Sequence, residues 1–155
     1  MAVEDYISEK GVVFAASVSS KKRALELLSE SLAKQTPALT KNKVLDALLA
    51  REKLGSTGLG KGIAIPHCRL DEIEKIYAAM LKLDTGVEFE STDGRPVNFL
   101  FCMVVPENAA DEHLQLLSSL AKRLANDQVR QSIEKCDHAK CLCDLLCDST
   151  GHLAS

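Results

Sequence analysis

The chain has 155 residues, 46% of them hydrophobic and 26% charged, with a formal net charge of −3 at pH 7. These are the proportions of an ordinary globular protein with material for one core, and residues 1–155 read as a single domain. Lysine and arginine are dispersed, and no apolar run approaches the thickness of a bilayer, so neither nucleic-acid binding nor membrane insertion is expected.

The polar, acidic opening MAVEDYISEK is unlike a signal peptide, which makes a cytoplasmic protein the expectation. A short apolar run at 12–16 reads as a strand. Over 21–34, Leu25, Leu28 and Leu32 recur at three- and four-residue steps with Leu27 beside them. That is the stripe of an amphipathic helix, closed by Pro37. Thr40 then reads as the N-cap of a second helix, with Val44, Leu45, Leu48 and Leu49 inward and an end near Leu54 at Gly55. After a glycine-rich loop come strands at 62–65, 76–83 and 97–105, with a turn at Asp93 and Gly94 between the last two. The third reads VNFLFCMVV, apolar almost throughout, which predicts cover on both faces. Helical spacing returns from Glu112, where Leu114, Leu117, Leu120, Ala121 and Leu124 share a stripe, and again over 137–147 with Leu142, Leu145 and Leu146. Helices before, between and after strands predict an α/β fold: a mixed β-sheet flanked by helices on both sides.

The stretch from Arg51 to His67, REKLGSTGLGKGIAIPH, carries the most chemistry. Its glycines let the backbone turn its amides toward an anion, and Pro66 fixes the chain direction just ahead of His67. Such a loop beside an imidazole at a strand end points to phosphoryl chemistry on histidine. The segment GSTGLGK also fits the first seven positions of a nucleotide-binding P-loop, but Gly62 stands where a Ser or Thr would bind magnesium. The context is wrong as well. A P-loop follows a strand and opens a helix, whereas here a helix leads through the loop into a strand. Asp84 at a strand end is too common a feature to restore a nucleotide-hydrolysing site.

At GSTGLGKGIAIPH the sequence resembles the enzyme IIA family of the phosphoenolpyruvate-dependent phosphotransferase system, in its fructose/mannitol branch and more closely in its stand-alone nitrogen-regulatory type. The resemblance runs over most of the chain, through DEHLQLLSSLAKRLAND and the final helix, and it implies a mixed sheet flanked by helices. It also implies that His67 accepts a phosphoryl group from an HPr-like phosphocarrier protein, with no cofactor and no metal. A neutral imidazole is nucleophilic near pH 7, and the P–N bond that it forms is labile enough to pass the group on. Arg51 matches the family's arginine ahead of the loop, and its guanidinium suits two phosphate oxygens. His113 matches a second family histidine, near a helix start where added negative charge is favoured. Ser56 and Thr57 offer hydroxyls, and the neighbouring loop amides can turn inward as a nest. His67, His113 and Arg51 are thus the expected catalytic residues, with Ser56 and Thr57 binding the phosphoryl group. Cys68 is a departure, because many family members carry glycine after the histidine. Its side chain is expected to narrow the pocket or make it redox-sensitive while leaving phosphorylation intact.

The protein then reads as a phosphocarrier whose phosphorylation state is a nitrogen-related signal, switching partners through Leu59, Ile63 and Ile65. Two alternatives stay open. One is a sugar-transport enzyme IIA that hands the group to an enzyme IIB. The other is a thiol- or metal-based sensor built on Cys136, Cys141, Cys143 and Cys147, with His138 as a further ligand. Against the sensor, Cys141, Cys143 and Cys147 lie in a helical pattern rather than at zinc-ligand spacing, so they read as small apolar fillers. Without a secretion signal, free thiols are expected for the six cysteines. His138 and His152 are assigned no role.

Overall fold

The computed structural model describes residues 6–108 and 110–147, apart from the side chains of residues 110–114. The elements run β1 (Val12–Ala15), α1 (Lys21–Ala33), α2 (Lys41–Lys53), β2 (Gly58–Gly60), β3 (Ile63–Ala64), β4 (His67–Leu70), β5 (Tyr77–Val87), β6 (Val97–Pro106), α3 (Ala110–Leu124), α4 (Asp127–Lys135) and α5 (Ala139–Cys147). α1 and α2 begin where a hydroxyl oxygen accepts from an otherwise unpaired amide. Ser20 Oγ takes the Arg23 N–H at 3.1 Å, and Thr40 Oγ1, as the sequence indicates, takes the Lys43 N–H at 3.3 Å.

The strands form one mixed sheet in the order β1-β5-β6-β3-β2, with β4 also paired to β6. β1 lies parallel to β5, β5 antiparallel to β6, and β3 and β4 parallel to β6. β6 is the spine of this sheet, buried at every position but Asn98. Leu100, Cys102 and Val104 meet the α1–α2 layer, where Leu25, Leu28, Leu32, Val44 and Leu48 pack. Phe99, Phe101, Met103 and Val105 meet the opposite layer, with Leu116, Leu120, Val129, Ile133 and Leu142. The unbroken apolar run of β6 is therefore the signature of double cover, and helices flank both faces as expected. Each fully buried leucine contributes roughly 1.5–3 kcal/mol relative to its exposed state.

Three features depart from the sequence reading. Residues 127–135 form a separate helix, α4, capped by Asn126 Oδ1, which accepts from the N–H groups of Gln128 at 2.8 Å and Val129 at 3.1 Å. Its two buried residues, Val129 and Ile133, make too narrow a stripe to stand out beside the leucine-rich α3. β2 and β4 are strands, although each is short. The third departure is that Cys136 and Cys141 form a disulfide rather than remaining free thiols. Cys136 closes α4 and Cys141 lies in the first turn of α5, and the tight corner between the helices sets their Cα atoms 5.6 Å apart, within bridging range. Cys68, Cys102 and Cys143 are buried thiols among apolar neighbours. Among the described residues, no three His, Cys, Asp or Glu side chains are grouped to hold a metal ion, and no helix is long and apolar enough to cross a membrane.

Candidate functional site

β3 and β4 are one strand with an interruption. Along β6, Ile63 lies opposite Phe99, Ala64 opposite Leu100, His67 opposite Met103 and Leu70 opposite Pro106, so the register is unchanged across the break. The break falls at residues 65–66 because Pro66 has no N–H for the ladder, although its carbonyl still accepts from Met103 N–H at 3.0 Å. Ile65 turns its N–H to Thr57 O at 3.1 Å. Its own carbonyl oxygen lies 2.8 Å from His67 Nδ1. A carbonyl only accepts, so Nδ1 carries the proton of that hydrogen bond, and in the neutral ring the nucleophilic lone pair belongs to Nε2. Ile65 thus turns its polar groups away from β6, the N–H to Thr57 and the carbonyl to His67, and that carbonyl fixes the imidazole tautomer.

Strand alternation decides what else shares this face. Ile63 and Ile65 pack in the α3–α5 core and Cys68 in the α1–α2 core, so His67 and Arg69 point to the α3 side and Cys68 to the other. Arg69 donates from Nη1 to Glu107 O at 3.1 Å, in the connection that leads into α3. Sequence reasoning missed it. The available signal was the two-residue step from His67, visible only once residues 67–70 are recognised as a strand. Burial holds the His67 pKa below its ordinary value. The bond to Ile65 opposes that shift, Arg51 adds to it, Glu52 opposes it, and Arg69 adds a smaller share.

Arg51 is thereby brought within electrostatic reach of His67. Its guanidinium sits in the last turn of α2 and donates from Nη1 to Gly55 O at 2.9 Å. The neighbouring Glu52 turns inward, and nothing in the sequence marks it. Its carboxylate accepts hydrogen bonds from the Thr57 N–H at 3.1 Å and the Thr57 hydroxyl and pairs with the Lys21 ammonium at 2.9 Å, with 4% of the Glu52 side chain exposed. The Lys21 ammonium also lies 4.5 Å from the centre of the Phe89 ring. Ser56 donates to Phe89 O at 2.7 Å and accepts the Gly58 N–H at 3.0 Å. The hydroxyl protons of Ser56 and Thr57, and the amides of Thr57 and Gly58, are therefore spent on the frame of the loop. The inward nest expected from the sequence is not formed by these groups.

His113 lies in the first turn of α3, and its side chain falls outside the described residues. Of the expected docking residues, Ile63 and Ile65 are buried at 4% and 7% exposure, while Leu59 is 42% exposed. Leu54, at the end of α2, is the more open apolar side chain, at 84%. The expectation for Cys68 is corrected. Its thiol faces away from His67 into the α1–α2 core, where burial pushes its pKa up to about 12. It neither narrows the histidine pocket nor supplies a thiolate at neutral pH. Alkylation of the native protein with iodoacetamide is expected to leave Cys68 and Cys102 unmodified, with both labelled after unfolding. Rapid modification of Cys68 in the folded protein contradicts that placement.

The fold is that of a phosphotransferase-system domain: the chain belongs to the family of phosphoenolpyruvate-dependent sugar phosphotransferase system EIIA 2 domains, whose model matches residues 5–148. More particularly, it is 43% identical over 129 residues to the nitrogen regulatory protein of Pseudomonas aeruginosa, covering 83% of this chain and 84% of that protein. The crystal structure of nitrogen regulatory protein IIA-Ntr from Neisseria meningitidis superposes with a TM-score of 0.88 at 36% identity, over 93% of this chain and 98% of that one. A fructose-specific EIIA component of Haloferax volcanii is 32% identical over 130 residues, covering 84% of each.

Proposed function

We propose that His67 accepts a phosphoryl group on Nε2 from an HPr-like phosphocarrier protein, and that the phosphorylation state serves as a signal in nitrogen regulation. The observation that carries this reading is the 2.8 Å contact between His67 Nδ1 and the Ile65 carbonyl, which reserves Nε2 for the nucleophilic role. Burial adds to it by keeping the ring neutral at neutral pH. In the transfer, the Nε2 lone pair forms a bond to phosphorus as the bond to the carrier's leaving nitrogen breaks, through a loose, in-line transition state. The Nδ1 proton stays in place, and the Ile65 carbonyl that accepts from it stabilises the positive charge that develops on the ring. Negative charge on the phosphoryl oxygens is met by the guanidiniums of Arg51 and Arg69, with His113 in the first turn of α3 as a further donor. Ser56 and Thr57 act one step back, by holding the loop through Phe89 O and Glu52.

The added group brings close to two negative charges to the surface around His67, enough to change which partners dock there, and Leu54 and Leu59 are exposed apolar side chains available to such partners. The nitrogen-regulatory relative at 43% identity favours a signalling role, and the fructose-specific relative at 32% keeps transfer to an enzyme IIB as the second reading. Intact-mass measurement after incubation with phosphoenolpyruvate, enzyme I and the carrier tests the proposal. One acid-labile phosphoryl group is expected on the wild type and none on His67→Gln. With carrier in excess, the acid limb of the transfer rate is expected to have its midpoint below the ordinary histidine value of about 6.5. A phosphorylated His67→Gln protein overturns the assignment, and passage of the group to a purified sugar-specific enzyme IIB shifts the reading to transport.

A further inference from the structure

A cavity of about 360 Å³ opens between the β2–β3 turn, the start of β6 and α4. Ile63 and Phe99 mark its wall. They lie four positions before His67 and Met103 along the same paired strands, which places the cavity about 13 Å from the histidine, on the same face of the sheet. Four cationic side chains line it, Lys61, Lys82, Arg95 and Arg130, against the two carboxylates of Asp127 and Glu134. Asp127 is already paired with Arg130. Lys82 donates to Glu134 O and Cys136 O at the end of α4, and so belongs to the cavity floor. Lys61 and Arg95 stand at the mouth, and neither side chain enters an ion pair among the described residues.

Their placement is built. Asp93 accepts the Lys61 N–H on one carboxylate oxygen at 2.7 Å and the Arg95 N–H on the other at 3.0 Å, which holds two cationic residues side by side although they are far apart in sequence. Lys61 also sits in the left-handed region at φ 56, between Gly60 and Gly62. Glycine would take that conformation without strain, so the chain keeps a lysine where its backbone disfavours one. Gly62, next to it, passes so close to β6 that a Cβ there would lie 2.8 Å from Asn98 Oδ1. Beyond a rim of Lys61, Ile63 and Arg130, a second cavity of about 270 Å³ continues along Leu59, Ala121, Leu124 and Ala125. One half is cationic and the other apolar, and they share a wall.

We propose that this double cavity is a second ligand site, separate from His67, for a phosphate ester with a flat apolar body of about the size of a mononucleotide. The phosphates lie between Lys61 and Arg95, the two cations in excess over the lining carboxylates, where a guanidinium can engage two oxygens at once. The apolar body lies against Leu59, Ala121 and Ala125, in the usual combination of an apolar lining with a few convergent polar groups. A ligand there ties the hairpin to α4 and leaves His67 open to a protein donor.

Equilibrium titration of the full chain with ADP, inorganic pyrophosphate and adenosine tests this, using wild type, Lys61→Gly, Arg95→Ala and His67→Gln. The expected result is saturable one-to-one binding of ADP that weakens as salt rises. Loss of either mouth cation is expected to weaken it about tenfold, the value of a charge-assisted hydrogen bond. Pyrophosphate and adenosine are each expected to bind at least about tenfold more weakly than ADP, since each fills half the site. Lys61→Gly removes the left-handed strain, so its melting temperature should not fall, which separates lost binding from lost folding. His67→Gln should bind as wild type does. The proposal is overturned by absence of saturable ADP binding, by equal affinity in the mouth variants, or by pyrophosphate binding as tightly as ADP. Loss of binding in His67→Gln overturns it too, because the anion then belongs to the histidine site.

Discussion

Replacement of Glu52 by alanine is expected to cost about 3–5 kcal/mol of folding stability, the range for removing one partner of a buried ion pair. The carboxylate is 4% exposed and satisfies three donors at once: Lys21 Nζ, the Thr57 amide and the Thr57 hydroxyl. Without it, a lysine side chain 17% exposed keeps only the exposed Glu90 carboxylate at 3.5 Å and the Phe89 ring, and a buried threonine loses its acceptor. For a chain of this length, a loss of that size lowers the melting temperature by on the order of 10 °C. Glu52→Gln should fall between, because an amide oxygen can replace one acceptor while its NH2 group opposes the remaining donors. Adding Lys21→Ala to Glu52→Ala should recover part of the loss, since an ammonium left with only the exposed Glu90 carboxylate is then gone. Denaturant unfolding of the four proteins reads this directly. A Glu52→Ala loss below about 1 kcal/mol, the level of an exposed pair, would mean that the carboxylate is not the brace of the loop.

The second large effect is on rate rather than stability. Arg51→Ala is expected to slow phosphoryl acceptance by about 10²–10³-fold, as does removal of a preorganised donor from a developing anion. The guanidinium is only partly buried and, among the described residues, its hydrogen bond is to the Gly55 carbonyl, so the fold should survive with a small loss. Arg51→Lys should not restore the rate, because an ammonium is a point charge and not a planar fork. Single-turnover transfer from a phosphorylated carrier, run beside thermal unfolding, separates the two effects. A rate within about threefold of wild type would reduce Arg51 to a cap on the end of its helix.

Much of this fold is legible in the chain because its signals are periodic. The leucine steps of α1, the Thr40 cap of α2 and the unbroken run of β6 each imply their structure by simple geometry. What escapes is set by contacts distant in sequence. β4 has four residues, and only its pairing with β6 makes it a strand, so Arg69 could not be placed on the face of His67. Glu52 looks like any polar residue in the last turn of a helix until Lys21 and Thr57 converge on it. Ser56 and Thr57 have the right chemistry for an anion loop, yet their protons go to Phe89 O and to Glu52. Nor does spacing alone reveal that a corner between two short helices brings Cys136 to Cys141.

The central claim is that Nε2 of His67 takes the phosphoryl group because Nδ1 is held by the Ile65 carbonyl. Heteronuclear NMR of ¹⁵N-histidine-labelled protein, phosphorylated by its carrier, reads the phosphorus–nitrogen coupling of the modified ring. A single phosphohistidine at position 67, with phosphorus coupled to Nε2 and the proton kept on Nδ1, is the predicted result. Phosphorus on Nδ1, or on any other residue, would contradict the account.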